Sequence, residues 1–247
     1  ATTNQSGILI ENDDKWFNSY RSGNTMTTGS NYGTLARYSN TAIFAAKHPG
    51  VYGNSIKVAI LPAGNASTYD SWQYKSFFDS APSNSVYTYA RSGLNDEIHI
   101  AVIDANGLFS QSGTAAGANA SGAVLEVFPN LSVASDAKNS DGSSNYYPDV
   151  LAAKSKYVRW LAHPSNQGNW GSSAVGTTFN GVGGFVADTA NGTTLGGGAY
   201  STASDANKIT AWGLLRDADS VDVSLLISGD ASPTIATHII DNVAEYR

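Results

Sequence analysis

The chain has 247 residues, a net charge of −6, 41% hydrophobic residues and only 14% charged residues. Soluble domains usually contain about 25% charged residues, and here Ser, Thr, Asn and 25 Gly supply the missing polarity. This composition favours turn-rich β structure over helical bundles and, with no basic run, argues against a nucleic-acid partner.

Two further features of the composition restrict the class of protein. The chain contains no Cys, which excludes a disulfide framework and a thiolate metal site. No apolar run approaches the roughly 20 residues of a membrane-spanning helix, so we expect no membrane insertion.

The first 41 residues predict one short strand at 7–11 and an aromatic cluster at 16–20. A Gly-, Ser-, Thr- and Asn-rich loop follows at 21–34. We expect residues 1–41 to form an N-terminal segment that packs against the C-terminal domain.

Two closely spaced turn signals then precede a strand. Pro49 fixes its own φ and Gly50 tolerates φ > 0, so the pair predicts a tight turn. Gly53 and Asn54 form a second pair that tolerates left-handed backbone. The apolar alternation at 56–61 predicts a half-buried strand directly after them. These four residues are the predicted structural turn motif.

Residues 42–162 predict an outer antiparallel β-barrel or sandwich domain with one helix. Period-two apolar patterns indicate several strands, and a Pro in the first turn with one apolar side predicts the helix. The predicted strands are 56–61, 86–90, 97–103, 123–128 and 158–161, and the predicted helix is 148–157.

Residues 163–247 predict a second, α/β sandwich-like domain with short helices. Its first part, 163–204, is glycine-rich and predicts a long flexible surface loop. A helix at 205–217 and the most apolar strand pattern of the chain, at 221–227, follow. Ser232 as N-cap and Pro233 at the first helical position predict the last helix, with Ile235, Ile239, Ile240 and Val243 on its buried side. The fold class is thus α+β, mostly β.

The pattern of the last helix runs to Arg247 without a C-cap signal. We therefore expect the second domain to continue further, and the chain to be an internal piece of a longer protein.

Catalytic and cofactor motifs are absent from the sequence. The histidines His48, His99, His163 and His238 do not have metal-ligand spacing. Neither a nucleophile elbow nor a nucleotide-binding glycine loop is present. The sequence therefore predicts no catalytic, cofactor-binding or metal-binding residue. Paired carboxylates of a glycoside hydrolase need no fixed spacing, so a hydrolase with dispersed acids stays open.

The order Ala-Lys-x-Pro-Gly-x-x-Gly-Asn-x-Ile-x-Val at 46–58 resembles the entry to the outer β-domain of contractile-tail sheath proteins of T-even-type myophages. Further segments resemble the same family in the same order along the chain. They are 7–20, the hairpin core 97–106 with 124–132, and the strand-to-helix turn 220–229.

This resemblance implies a structural subunit and not an enzyme. Such subunits form hexameric rings around a tail tube protein in the virion, and contraction of their lattice drives the tube through the host envelope. The family's assembly domain and terminal arms lie outside this region, so we expect the chain alone to be monomeric. The alternative is an extracellular β-rich module that binds carbohydrate or a cell surface, favoured by the many Tyr, Trp, Asn and Ser residues.

Overall fold

The computed structural model describes residues 25–26, 35–36, 38–39, 43–48, 50–64, 66–110, 122–164, 168–180, 193–199 and 202–246. Contacts divide the chain into two compact units, residues 1–199 and 200–247. The domains predicted from the sequence have their boundaries at 41/42 and 162/163, which differ from the boundary between these units. That domain division remains a prediction. The strand predicted at 7–11 and the aromatic cluster at 16–20 lie outside the described residues.

The described part of unit 1 is mostly antiparallel β structure. The strands are β1 (Thr25–Met26), β2 (Leu35–Ala36), β3 (Tyr38–Ser39), β4 (Phe44–Ala46), β5 (Ile56–Pro62), β6 (Glu97–Asp104), β7 (Ala123–Ser132), β8 (Val158–Trp160), β9 (His163–Pro164) and β10 (Thr193–Thr194). The main sheet has four strands in the order β10-β5-β6-β7, all antiparallel. Two-stranded pairs join β1 to β2, β3 to β9 and β4 to β8, and of these three pairs the β3–β9 pair is parallel.

The helices of unit 1 are short. The α-helices are α1 (Ala66–Ser71), α2 (Val86–Tyr89) and α3 (Tyr147–Lys154), and the 3₁₀ helices are Val51–Ser55 and Lys75–Phe77. The strands predicted at 56–61, 97–103, 123–128 and 158–161 and the helix predicted at 148–157 are confirmed as β5, β6, β7, β8 and α3.

Strands β5 and β6 are buried on both faces. Val58 and Ile100 belong to one apolar cluster, which also includes Leu151 of α3. Ala59 and Ala101 belong to a second cluster, together with Trp72. Both faces of these strands are covered, and most of their side chains are accordingly apolar, as in the centre of a layered fold.

The coarse α+β class is confirmed, but the sheet does not close into a barrel among the described residues. Its outer strands are the two-residue β10 and the ten-residue β7. Side chains from loops and from α3 cover the two faces of the sheet. With its faces already covered, an open sheet buries its core without curling onto itself.

Two further predictions for unit 1 are wrong. Residues 86–90 form α2 and its C-cap instead of a strand, because the Ser85 hydroxyl caps the helix by accepting from Thr88 N. Residues 168–180 do not form the flexible loop predicted across 163–204, since Trp170 and Phe179 are each only 1% exposed. These two aromatic side chains anchor the turns around them in the core.

Unit 2 contains helices α4 (Asp205–Gly213) and α5 (Pro233–Ile239), and α5 continues as a π-helical turn, Ile240–Ala244. Both predicted helices are confirmed. Ile235, Ile239 and Val243 are buried as predicted, whereas Ile240 is 54% exposed. The strand predicted at 221–227 is wrong, because that segment has no strand partner among the described residues.

Candidate functional site

The predicted turn motif lies at the entry to β5. Pro49 lies outside the described residues. Gly50 has φ 101°, in the region that favours glycine. Gly53 lies in the 3₁₀ helix, where a Cβ would approach the Ala46 Cβ to 2.8 Å. Gly53 is therefore required for close packing, and the expected second turn is a 3₁₀ helix instead.

Asn54 connects this entry to a distant loop. Its Nδ2 donates to Gly198 O at 2.8 Å, and Gly198 N donates to its Oδ1 at 2.8 Å. A Cβ on Gly198 would lie 2.3 Å from Gly50 O. The side-chain amide of Asn54 thus binds the main chain of the loop after β10, as a neighbouring strand would. Only glycine fits at position 198, because any side chain there would meet Gly50 O.

Asp104 pairs with Ile56 at the same end of the β5–β6 pair, and it fixes the turn that follows β6. Its carboxylate accepts a hydrogen bond from the buried Ser55 hydroxyl and bonds from Leu108 N at 3.1 Å, Phe109 N at 2.9 Å and Ser110 N at 2.8 Å. Burial by itself raises the pKa of Asp104, but these hydrogen bonds outweigh burial and the pKa is lowered. The ionised carboxylate therefore holds the 105–110 turn in place.

The residues just described meet at the start of β5 through hydrogen bonds and close main-chain approaches, and we call them the loop junction. It consists of Gly50, Gly53, Asn54, Ser55, Asp104 and Gly198. Ser55 is its centre, because its hydroxyl donates to Asp104 and accepts from Asn106 N at 2.9 Å. The sequence predicted turns at 49–54 and at 104–107, but not that Ser55, Asp104 and Gly198 meet here, since only the folded chain brings them together.

A second buried carboxylate, Asp96, joins α2 to the start of β6 and the end of β7. It is fully buried and accepts from Ser85 N at 2.8 Å, Ser85 Oγ at 2.7 Å and Ser132 Oγ. Ser85 Oγ in turn accepts from Thr88 N at 3.2 Å. Hydrogen bonds from several donors stabilise a carboxylate in a buried position that would otherwise be costly.

His99, which the sequence indicated as a structural residue of a strand, is fully buried in β6. Its Nδ1 accepts from Asn130 N at 3.1 Å and its Nε2 lies 2.7 Å from Ser80 O. These partners require a neutral ring with the proton on Nε2. Burial lowers the pKa of His99, and the ring stacks on Phe78 with centroids 4.4 Å apart.

The fully buried His163 forms a third polar centre. Its Nε2 lies 3.0 Å from the Tyr146 hydroxyl, and its Nδ1 lies 2.6 Å from the Tyr147 hydroxyl. Trp160 Nε1 donates to that second hydroxyl at 2.9 Å. The network joins β9, β8 and the start of α3. No local sequence signal distinguishes these tyrosines from other aromatic residues of the chain.

In unit 2 the predicted cap residues lie between the two helices. Ser232 Oγ accepts from Ile235 N at 3.4 Å, and Pro233 is the first residue of α5. Ser232 Oγ also donates to Asp205 Oδ2 at 2.6 Å. The cap of α5 is thereby connected to the first turn of α4.

Aromatic and apolar side chains are exposed on α2 and on a neighbouring turn. Val86 is 88% exposed, Tyr89 69% and Val175 68%. A hydrogen bond from Gly176 N to Arg91 O, at 2.9 Å, brings the turn beside the end of α2. We call these three side chains the α2 surface. Exposed apolar groups in such proximity are typical of interaction surfaces.

The described residues contain no group of three His, Asp or Glu side chains arranged to hold a metal ion. Within the same residues, no helix has the length and apolar character needed to cross a membrane. Neither family models, nor curated proteins, nor solved structures match this chain.

Proposed function

We propose that this chain is part of a structural subunit of a bacteriophage contractile tail sheath, and that its role is mechanical and not catalytic. The main support is the position of the segments that resemble sheath proteins. Residues 46–58, 97–106 and 124–132 supply the loop junction, apart from Gly198, and the adjacent strands β5, β6 and β7. The resemblance therefore concerns the framework of unit 1 and not scattered surface loops.

The cross-connections of unit 1 suit a body that transmits force. Asn54 bonds to Gly198, Asp96 to Ser132 and Asp104 to Ser55, so each joins segments that are distant in sequence through buried or partly buried hydrogen bonds. Such bonds are costly to break without replacement, because the freed donors stay away from water. A domain connected in this way resists deformation when its lattice moves.

The proposal includes the partners and the location of the subunit. Other sheath subunits would surround it in hexameric rings, the tail tube protein would lie inside the rings, and the assembly would belong to the virion. The contacts that build the rings would lie largely outside these residues, and the chain alone would be monomeric. Residues 42–162, which lie within unit 1, would correspond to the family's outer β-domain.

Electron microscopy of the complete gene product tests this proposal. The protein containing this chain is expressed in bacteria and imaged in negative stain, with an antibody against residues 1–247 as the label. Long striated tubes decorated along their outer surface are the expected result. Dispersed particles, both alone and after addition of preformed tail tubes, would contradict it.

A binding module for carbohydrate or a cell surface is the second candidate, and the α2 surface is the observation that favours it. Exposed tyrosine rings stack on sugar faces, and Arg91 lies 3.5 Å from the ring centroid of Tyr87 beside this surface. A glycan array probed with the chain and with its Tyr89→Ala variant tests this function. Binding that the variant loses would favour the module.

A further inference from the structure

The segment 222–228 has a strand-like sequence, but its backbone has no hydrogen-bond partner among the described residues. No hydrogen bond joins residues 222–228 to the part of the chain that the structure describes. The segment runs without helix or ladder and bends at Ser224. A stretch of seven residues without such a bond is unusual, because folded chains average about one hydrogen bond per residue.

The side chains of this segment alternate as they do in a strand with one apolar face. Val223, Leu225 and Ile227 lie on one side of an extended chain, and the other side has Asp222, Ser224 and Ser228 with one apolar residue, Leu226. Leu225 is 74% exposed and Ile227 is 76% exposed. Branched side chains in this order favour a strand, but a strand is stable only beside a neighbour.

The charges around the segment indicate which neighbour fits. Between Arg216 and His238 the chain has four aspartates, at 217, 219, 222 and 230, and no lysine or arginine. The acidic residues thus lie on both sides of an apolar centre. Opposite charges across a strand pair are favourable and like charges are unfavourable.

We propose that residues 222–228 are a recognition strand. Its occupant is an apolar edge strand of another polypeptide segment, with basic residues at the two ends of that edge strand. Main-chain hydrogen bonds to that edge would give affinity, and the aspartates would select the basic ends, as in β-strand addition. The inference concerns unit 2 only and does not depend on the sheath proposal.

A synthetic peptide tests the inference. The probe is a nine-residue peptide of alternating valine and threonine with a lysine at each end, added to the full chain. We expect it to protect alternate amides within 222–228 from hydrogen exchange by at least tenfold. The same peptide with glutamate ends should bind about tenfold more weakly. Absence of protection at saturating peptide, or equal binding of the two peptides, would overturn the proposal.

Proline variants show which edge of the segment is used. Successive N–H groups of a strand point to opposite edges, so Ser224→Pro and Leu225→Pro block different edges. We expect one variant to lose peptide binding and the other to retain it. Neither removes an existing hydrogen bond of the segment, and the helical circular dichroism of both should match the parent chain.

Two outcomes of these measurements oppose the proposal. Binding that survives in both proline variants would show that the main chain is not the recognised group. Concentration-dependent dimers whose 222–228 amides are protected without peptide would identify a second copy of the chain as the occupant in place of a basic strand.

Discussion

Strand β5 and the segment 221–227 have similar sequences but different structures. Both place branched apolar residues at every second position. Strand β5 pairs with β6 along its whole length and with β10 on its other side. The segment in unit 2 has no such neighbour among the described residues, and Leu225 and Ile227 are exposed. A local preference for strand is therefore realised only where another strand satisfies the backbone.

The largest expected difference between these regions is the cost of removing a buried side chain. Ile100 is fully buried in β6, whereas Ile227 is 76% exposed. We expect Ile100→Ala to lower the free energy of unfolding by about 2–5 kcal/mol. The matched change Ile227→Ala should alter it by less than about 0.5 kcal/mol. Urea unfolding followed by circular dichroism measures both, and similar losses would contradict the comparison.

Removing a buried aspartate should likewise cost more stability than removing an exposed one. Asp96 accepts hydrogen bonds from Ser85 and Ser132, and Asp222 is exposed and makes none. Asp96→Ala leaves buried donors unsatisfied, which costs about 2–3 kcal/mol. Asp222→Ala should leave the unfolding midpoint unchanged. Equal stability of the two variants would show that water replaces the lost carboxylate of Asp96.

The loop junction predicts a third contrast, between two glycines. A Cβ on Gly198 would lie 2.3 Å from Gly50 O, whereas nothing lies within 4 Å of a Cβ on Gly213. We expect Gly198→Ala to cost about 1–3 kcal/mol, because the loop must move away from Asn54. Gly213→Ala should be neutral or slightly stabilising, since glycine disfavours helix. Melting temperatures separate the two, and an unchanged value for Gly198→Ala would contradict the junction geometry.

These contrasts indicate how much of the molecule is readable from its sequence. The strands β5, β6 and β7, the helix α3 and the cap at Ser232 follow from local pattern. Residues 86–90 alternate like a strand, but the bonds of Ser85 to Thr88 N and Asp96 select a helix. That choice depends on a residue eleven positions away, which a local pattern does not include.

The candidate site was readable only in part, for the same reason. Gly50 and Asn54 have recognisable turn chemistry. Asp104 begins the turn sequence Asp-Ala-Asn-Gly at 104–107, but nothing local indicates that its carboxylate meets Ser55. Gly198, the partner of Asn54, has no distinguishing signal, because glycines in loops occur at many other places in the chain. His163 likewise acquires its role from Tyr146 and Tyr147, whose hydroxyls meet it only in the folded core.

Acidification should weaken unit 1 in two steps. Burial lowers the pKa of His99 below its ordinary value of 6.5. Its neutral form therefore contributes stability that is complete above pH 6.5 and is lost as the pH falls below that value. For Asp104, burial raises the pKa but the hydrogen bonds outweigh it and lower the pKa below 3.8. Its contribution is complete above pH 3.8 and is lost in stronger acid.

Unfolding curves at several pH values measure these two steps. The fluorescence of Trp72, Trp160 and Trp170 reports on unit 1 because all three side chains are buried there. A His99→Gln variant should be less stable at pH 7 yet lose less additional stability between pH 7 and pH 5. A variant that loses as much as the parent chain would show that another group titrates in that range.

The smallest expected effect is the difference in stability lost when the cap of α2 or the cap of α5 is removed. Ser232→Ala removes the partly buried acceptor for Ile235 N and the exposed bond to Asp205, and should cost about 0.5–1 kcal/mol. Ser85→Ala should cost more, about 1–2 kcal/mol, because it also leaves the buried Asp96 with one donor fewer. Threonine at either position retains the hydroxyl and is the matched control. If Ser85→Ala cost no more than Ser232→Ala, the Asp96 contact would add nothing to the cap, and the connection between α2 and the sheet would rest on apolar packing alone.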